Sequence, residues 1–464
     1  MMQEQQYEPV TPLGEPIAAA APSAAADVYA PVAKGDKHLW GIYILLCFIS
    51  VIELYSASSR EVAGAGLGVF GPIVRHGFML LCGFFIILYL QRTHYRKILK
   101  AIPLFVFISI VMMLYTIFFG DVINGARRSF RILGQSIQPS EFLKISAAMM
   151  VALIMARTQV KGGGVRRVGI IASAAFILFF CGMLAPQGLT NTLLLMSISG
   201  SMMLIGGIGL KRFGLVMLVY GCCFGLYLGV THLRENKKDK TEKVVTADSG
   251  VSAAELAEMQ SLDDRPKEEK SRMGVWSDRL GNYFGGGVPK YEVPLTSDNR
   301  QEQLGYMAQA HGGLTGVGPG NSRETSRLPL AFTDYVFSII VEELGLIGGI
   351  IVLVLYLWLL TRASAIASRC SRAFPALLVI GMALTIVFQA LFHICIVTGV
   401  IPVSGQPLPL ISKGGSSILV TSIAFGIMLS VSRFAVRNSA KNKEIKQEIE
   451  ALPEEMRAEN PTQL

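Results

Sequence analysis

The chain has 464 residues, 52% of them hydrophobic and 16% charged, with a formal net charge of +9. That balance, with long apolar runs recurring over most of the length, excludes an ordinary soluble globular domain and indicates a membrane protein. The positive charge sits in short connections, with no basic stripe carrying interleaved aromatics, so nucleic acid is not expected as a partner.

Residues 1–37 are rich in Ala and Pro, carry Glu4, Glu8 and Glu15, and lack a basic start followed by a separate apolar core. They read as a disordered cytoplasmic tail and not as a cleavable signal peptide. A hydrocarbon core about 30 Å thick needs about 20 apolar residues per helix. Ten runs qualify, near 39–56, 72–91, 101–119, 140–156, 168–184, 189–208, 213–231, 334–361, 374–400 and 414–432. The expected fold is an all-α polytopic membrane protein whose ten transmembrane helices fill 38–435. Alternate connections are basic: Arg92, Arg96, Lys97 and Lys100, then Arg157, Lys161, Arg166 and Arg167, then Lys211 and Arg212, then Arg362, Arg369 and Arg372. By the positive-inside rule both termini are then cytoplasmic.

Two connections on the opposite side are unusual. The loop 120–139 carries Arg127, Arg128 and Arg131 where that rule leaves few cations. The segment 232–333 forms one large extracytoplasmic loop between spans 7 and 8. Its first half has mixed charge and is expected to be flexible or loosely helical; its second, rich in aromatics, Gly and Pro, reads as an ordered irregular loop. The tail 436–464 is charged and solvated, with room for a short helix lying off the membrane. Six of the seven cysteines fall in predicted spans and Cys370 in a cytoplasmic loop, which argues against a disulfide framework. The chain does not repeat upon itself, which weighs against transporter folds built from inverted repeats.

Ionisable groups inside a bilayer cost about 2.5–3.5 kcal/mol at its centre on insertion scales, so each asks for a reason. The spans hold Glu53, Glu141, Lys144, Asp334, Glu342 and Glu343, with Gln389 and His393 beside them. Glu141 and Lys144, three apart, share one face of a helix starting after Pro139, with Ser140 as its cap. They suit an ion pair that fixes helix orientation, a sensing or gating role, or both. Asp334 lies at the outer end of its span, where capping and catalysis are both open. Glu342 and Glu343 point about 100° apart, so one at most faces a given cavity; the other pairs with a residue such as Lys144 or caps a backbone.

The stretch AHGGLTGVGPGNS matches neither nucleotide-binding spacing and suits a tight turn or close backbone approach to a ligand. PLPLISKGGSS (407–417) places Lys413, Gly414, Gly415 and Ser416 where the last span begins. A helix N-terminus with a lysine beside it fits a lipid pyrophosphate, and equally an ordinary helix entry with a snorkelling lysine. Six histidines without zinc spacing give no dedicated metal site; a divalent ion held by one or two carboxylates and a substrate pyrophosphate leaves no such signature.

Five stretches together resemble one family: NGARR (124–128), QPSEFLK (138–144), HGGLTGVGPG (311–320), LPLAFTDYVFSIIVEELGLIG (328–348) and PLPLISKGGSS. They are similar, in order and topological position across 38–435, to the SEDS glycosyltransferases of bacterial cell-wall synthesis, whose members include FtsW, RodA and SpoVE. The resemblance implies polymerisation of lipid II into glycan strands at the outer face of the cytoplasmic membrane. Asp334 matches the family's catalytic aspartate, the general base for the acceptor 4-hydroxyl. Glu141 and Lys144 match a buried pair associated with activation by a partner, and Arg128 a loop arginine assigned here to the donor pyrophosphate. A divalent cation (Mg or Mn), a class B penicillin-binding protein and other divisome proteins are implied, at the division septum.

The chain departs from the family pattern at Leu330 and Phe332, where a charged residue and a histidine are usual. Ser129 stands for a tryptophan, Lys413 for a tyrosine, and APQGLTNT (185–192) lacks the family's acid. The K-G-G variant and G-Q-P-L-P-L are similar to FtsW-type sequences of Bacteroidetes-like bacteria, favouring division over a RodA-like elongation role. Two other classes stand beside the enzyme: a lipid II flippase or transporter, which uses midplane charges, and a noncatalytic divisome scaffold, for which Asp334 is dispensable.

Overall fold

The computed structural model describes residues 35–58, 70–123, 126–132, 135–160, 164–248, 281, 283, 295, 299–328, 331–370 and 372–451. The expectations for residues 1–34, for most of the charged half of the large loop and for 452–464 lie outside these residues.

In chain order the elements are α1 (Lys37–Ser58), α2 (Phe70–Arg92), α3 (Tyr95–Phe119), β1 (Asp121–Ile123), β2 (Ala126–Ile132), β3 (Gln135–Ile137) and α4 (Pro139–Arg157). There follow α5 (Arg167–Leu184), α6 (Leu189–Ile205), α7 (Leu210–Asp248), α8 (Arg300–Gly312), α9 (Ala331–Asp334), α10 (Val336–Ala367), α11 (Ala373–Val397) and α12 (Gly415–Ala451). Among the described residues nine helices are long and apolar enough to cross a bilayer. The tenth predicted run forms α6, whose 17 residues span about 26 Å at 1.5 Å per residue, the short end of what crosses. It stops before 208 because Gly206 and Gly207, the latter at φ +92°, take over the chain.

The loop 120–139 folds as a small sheet: β1, β2 and β3 pair antiparallel, with Ile123 opposite Ala126 and Ile132 opposite Gln135. Each pair of strands is joined by two residues, and Asn124-Gly125 is a strong hairpin signal. Phe130 anchors the sheet on α3, its ring 5.3 Å from that of Tyr115.

Helices α4, α11 and α12 form the centre, with 78%, 72% and 83% of their apolar stretches enclosed, whereas α2, α3, α5 and α7 turn broad apolar faces outward. Small residues let α2 and α12 touch: Gly83 faces Ser422, and Gly426 faces Leu90 and Ile87. Without a hydrophobic drive between helices in lipid, such close approach supplies the attraction.

Helix α10 is broken at Gly345, at φ 74° and ψ −179°. The glycine-rich loop fills the break by backbone pairing: Val317 N donates to Glu342 O (3.0 Å), Gly318 N to Glu343 O (2.9 Å) and Leu346 N to Gly313 O (3.0 Å). A Cβ on Gly312 or Gly316 would overlap the carbonyls of Val341 or Glu343. Close approach is thus required as the sequence suggested, and the chain's own helix is what approaches. Glu342 accepts from Ser322 Oγ (2.5 Å), Arg323 N (2.8 Å) and Glu324 N (3.4 Å). Glu343 accepts from Ser56 of α1. Both glutamates tie loop to bundle, and neither meets Lys144.

At the end bearing the basic connections, Asp36 Oδ1 caps α1 through His38 N (2.9 Å) and Leu39 N (3.2 Å), while Oδ2 accepts from Arg362 Nε (2.8 Å) and Nη2 (2.5 Å). Asp36 N donates to Ser432 Oγ (3.2 Å), so one aspartate joins α1, α10 and α12. Burial pushes its carboxyl up, and the Arg362 and backbone hydrogen bonds outweigh that to hold it below the usual value. A depressed pKa contributes stability that is whole above the unfolded value, about 3.9, and is lost only as pH falls through the lower folded one. Asp36→Ala is expected to cost about 1–3 kcal/mol, and Asp36→Asn less because it keeps the cap. Thermal unfolding of the purified protein in detergent at pH 7 checks the order.

Candidate active site

Asp334 closes the four-residue α9, and Tyr335, at φ −127° and ψ 18°, takes the cap position of α10. The capping reading of Asp334 is thereby corrected: the carboxylate belongs to a joint between two helices. Ser140 is likewise not a cap, since α4 begins at Pro139 with Gln138 before it.

The connection from α11 to α12 holds this joint. Lys413 N donates to Phe332 O (2.8 Å), and Ser412 Oγ donates to Thr333 O (2.8 Å) while accepting from Leu408 N (2.7 Å). Tyr356 of α10 donates to Pro409 O (2.6 Å). Within this connection Leu410 is the one non-glycine residue at positive φ (67°) among the described residues, a conformation held by its surroundings. Gly405 lies against the aspartate, where an added Cβ would stand 2.7 Å from Asp334 Oδ2.

Around Asp334 opens a cavity of about 450 Å³. Arg75 and His76 of α2, Arg131 of β2, and Lys413, Gly414, Gly415 and Ser416 at the start of α12 line it, with Gln138 and Thr333. Among the described residues Asp334 is its single carboxylate, beside three permanent cations of which Arg131 also pairs with Asp121 of β1 (3.4 Å), and the first turn of a long helix borders it, so it favours an anionic ligand. Ser416 Oγ accepts from Gln138 N (3.3 Å), stitching α12 to α4 at the cavity edge. Arg128 lies apart: its Nε donates to Gln187 O (3.0 Å), and it lines a smaller cleft of about 60 Å³ that shares Gln138, Gly405 and Pro407 with the main cavity. Sequence reasoning missed Arg75, His76 and the place of the exposed Arg131 at the cavity edge. The available signal was the pair Arg75-His76 at a span entry on the side where cations are scarce.

Glu141 and Lys144 meet as expected, with Nζ 2.8 Å from Oε1 and the lysine fully buried. Nζ also donates to Gln389 Oε1 (2.7 Å), and Gln389 Nε2 donates to Pro407 O (3.2 Å). His393 Nδ1 lies 2.6 Å from Gln406 O, which obliges that nitrogen to donate, and Gln406 Nε2 donates to Asn191 Oδ1 (3.1 Å). The buried pair therefore reaches, through one glutamine, the loop that backs Asp334. Among the described residues no three His, Cys, Asp or Glu side chains gather as a metal site.

Fold and site together define a polytopic helical membrane protein with a cationic, single-carboxylate cleft at the end opposite its basic connections. The chain belongs to the FtsW/RodA/SpoVE family: the family profile described as "Cell cycle protein" matches residues 36–245 and 299–437. It is similar to the probable peptidoglycan glycosyltransferase FtsW of Bacillus subtilis (strain 168), 27% identical over 416 residues that cover 88% of this chain and 93% of the relative. Stage V sporulation protein E of the same organism is 29% identical over 415 residues, covering 85% and 96%. Among solved structures, the rod shape determining protein RodA of Thermus thermophilus shares the fold with a TM-score of 0.55 at 20% identity, covering 86% of this chain and 97% of that one. A chain of a peptidoglycan synthase complex that coordinates polymerization and crosslinking shares it with a TM-score of 0.57 at 22% identity, covering 86% and 98%.

Removing one partner of a buried ion pair strands the other charge, at about 3–5 kcal/mol. Lys144→Ala is thus expected to lower the unfolding midpoint strongly, and the neutral pair Glu141→Gln with Lys144→Met to recover most of the loss. Thermal unfolding of the single and double variants checks this.

Proposed function

We propose that this protein is a peptidoglycan glycosyltransferase that polymerises lipid II into glycan strands during cell division, with Asp334 as its general base. The observation that carries the reading is one carboxylate, the single one lining the cavity among the described residues, at a joint held by backbone contacts from a neighbouring loop and beside Arg75, Arg131 and Lys413. The three cations and the first turn of α12 suit the donor's pyrophosphate, stabilising the charge that develops on it as it leaves. Asp334 takes the proton of the acceptor 4-hydroxyl. That oxygen bonds to the donor's anomeric carbon from the face opposite the pyrophosphate, the carbon–oxygen bond to the phosphate breaks with its electron pair leaving on the pyrophosphate, and the configuration inverts. Base catalysis of this kind contributes about 10²–10⁴-fold. Arg128, in the adjoining cleft, is assigned to the same pyrophosphate on charge alone.

One carboxylate amid three cations is a poor resident metal site. A Mg²⁺ or Mn²⁺ ion in this reading arrives as counter-ion of the lipid pyrophosphate, drawing most of its ligands from substrate and water. The orientation that the basic connections favour puts both termini in the cytoplasm and the cavity at the outer leaflet, where lipid II is presented. A class B penicillin-binding protein and other divisome proteins at the septum are the partners this activity calls for. The transporter alternative draws little support from Glu141, Lys144 and Gln389, whose polar groups are engaged with one another and with the 405–407 loop.

The test is polymerisation of labelled lipid II by the purified protein with its cognate transpeptidase and Mg²⁺. Asp334→Asn is expected to lose about 10²–10⁴-fold in rate; product equal to wild type removes Asp334 as the base. Gly405→Ala, which crowds the carboxylate without changing its chemistry, is expected to lose about 10–100-fold, measured in the same assay.

A further inference from the structure

A second cleft, of about 640 Å³, lies between α5 and α7, away from Asp334. On α5 it follows the stripe Arg167, Ile171, Ala175 and Leu178; on α7 it follows Arg212, Leu215 and Val219. Both stripes keep the three- and four-residue spacing of one helix face. Both helices begin at the same end of the bundle, so the two arginines sit together at one mouth of an otherwise apolar groove. From Arg167 to Leu178 the groove runs about 16 Å at 1.5 Å per residue, half of a hydrocarbon core about 30 Å thick. Near that depth Tyr220 of α7 donates to Ala174 O of α5 (3.1 Å) and crosses between the helices.

The walls are otherwise open: Ile171 is 67% exposed and Leu215 63%. Helix α7 is the least enclosed spanning helix among those described, with 11% of its apolar stretch inside the protein. Among the described residues neither Arg167 nor Arg212 has an acidic partner. Two guanidiniums above a channel one leaflet deep are complementary to a molecule with an anionic phosphate head and an apolar tail of matching length. Guanidinium forks bind phosphate bidentately, and basic pockets between helices on the cytoplasmic side hold anionic lipid headgroups.

We infer that this groove is a binding site for one anionic glycerophospholipid of the leaflet bordering the basic connections, its phosphate between Arg167 and Arg212 and one acyl chain between α5 and α7. The bound lipid takes the place of the protein contacts that α7 lacks and sets the position of a helix that leads into the large loop. The inference rests on the membrane-spanning fold and not on glycosyl transfer.

The experiment is native mass spectrometry of delipidated protein in a neutral detergent, titrated with dioleoylphosphatidylglycerol or dioleoylphosphatidylcholine. Wild type is expected to take up one phosphatidylglycerol at least fivefold more tightly than phosphatidylcholine. Arg167→Ala with Arg212→Ala is expected to abolish that preference, and Ala175→Trp, which fills the channel from an exposed position, to remove the tight site for both lipids. Arg96→Ala with Lys97→Ala, in another basic connection, is expected to change nothing. Absence of the preference in wild type, its survival in the arginine double variant or in Ala175→Trp, or its equal loss in the Arg96 and Lys97 control each overturns the site.

Discussion

An ammonium group enclosed in a lipid-embedded bundle is tolerable only when its donors are met, and Lys144 meets that demand by reaching two helices and, through one of them, a loop. It pairs with Glu141 on its own helix and with Gln389 of α11, whose amide then holds Pro407. Moving α11 relative to α4 breaks a charged contact in low dielectric, where an unmet charge costs several kcal/mol. Helices α4 and α11 are thereby fixed to each other, and the loop leaving α11 inherits that geometry. The cavity walls at Gly405 and Lys413 lie along this same connection.

A second constraint works at the other side of Asp334. The break at Gly345 frees backbone groups that a lipid environment leaves without partners, and the loop 312–320 supplies them. Glu342 then gathers the turn at 322–324. The large loop is thus sewn to α10 by main-chain bonds and by the carboxylates of Glu342 and of Glu343, the latter accepting from the backbone of Gly320 and Ser322. Asp334 lies between this seam and the connection governed by Lys144.

Much of the fold was legible because lipid is an undemanding solvent for prediction: each spanning helix must announce itself as an apolar run of fixed minimum length. The weakest element by that criterion is α6, which ends at Ile205 short of the expected 208 because glycines take over, while α3 starts and α10 ends several residues outside their expected apolar runs. The strands of 120–139 went unread because three-residue strands carry no periodicity, although Asn124-Gly125 offered the turn. Within the site, the Glu141–Lys144 pair was visible from spacing, and Asp334 from the family resemblance of the motif around it. Of the cationic wall only Lys413 was singled out as a candidate, because Arg75, Arg131 and Lys413 come from three distant parts of the chain and meet only through the packing of α2 and of the β1–β3 sheet against α12. Of the two partners open to Glu342 and Glu343, a buried cation such as Lys144 or a neighbouring backbone, the structure supplies backbone amides together with hydroxyls.

The kink at Tyr335 gives the site carboxylate a mechanical address different from its sequence address. Asp334 precedes α10 by two residues, yet its carbonyl neighbours Phe332 and Thr333 are bonded to Lys413 and Ser412. Displacement of α11 or α12 reaches the joint through Lys413 and Ser412, and tilting of α10 reaches the same connection through Tyr356, which holds Pro409. A protein leaning on α10, α11 or α12 therefore presses on one shared connection, and the carboxylate feels the bundle through that loop as much as through its own helix.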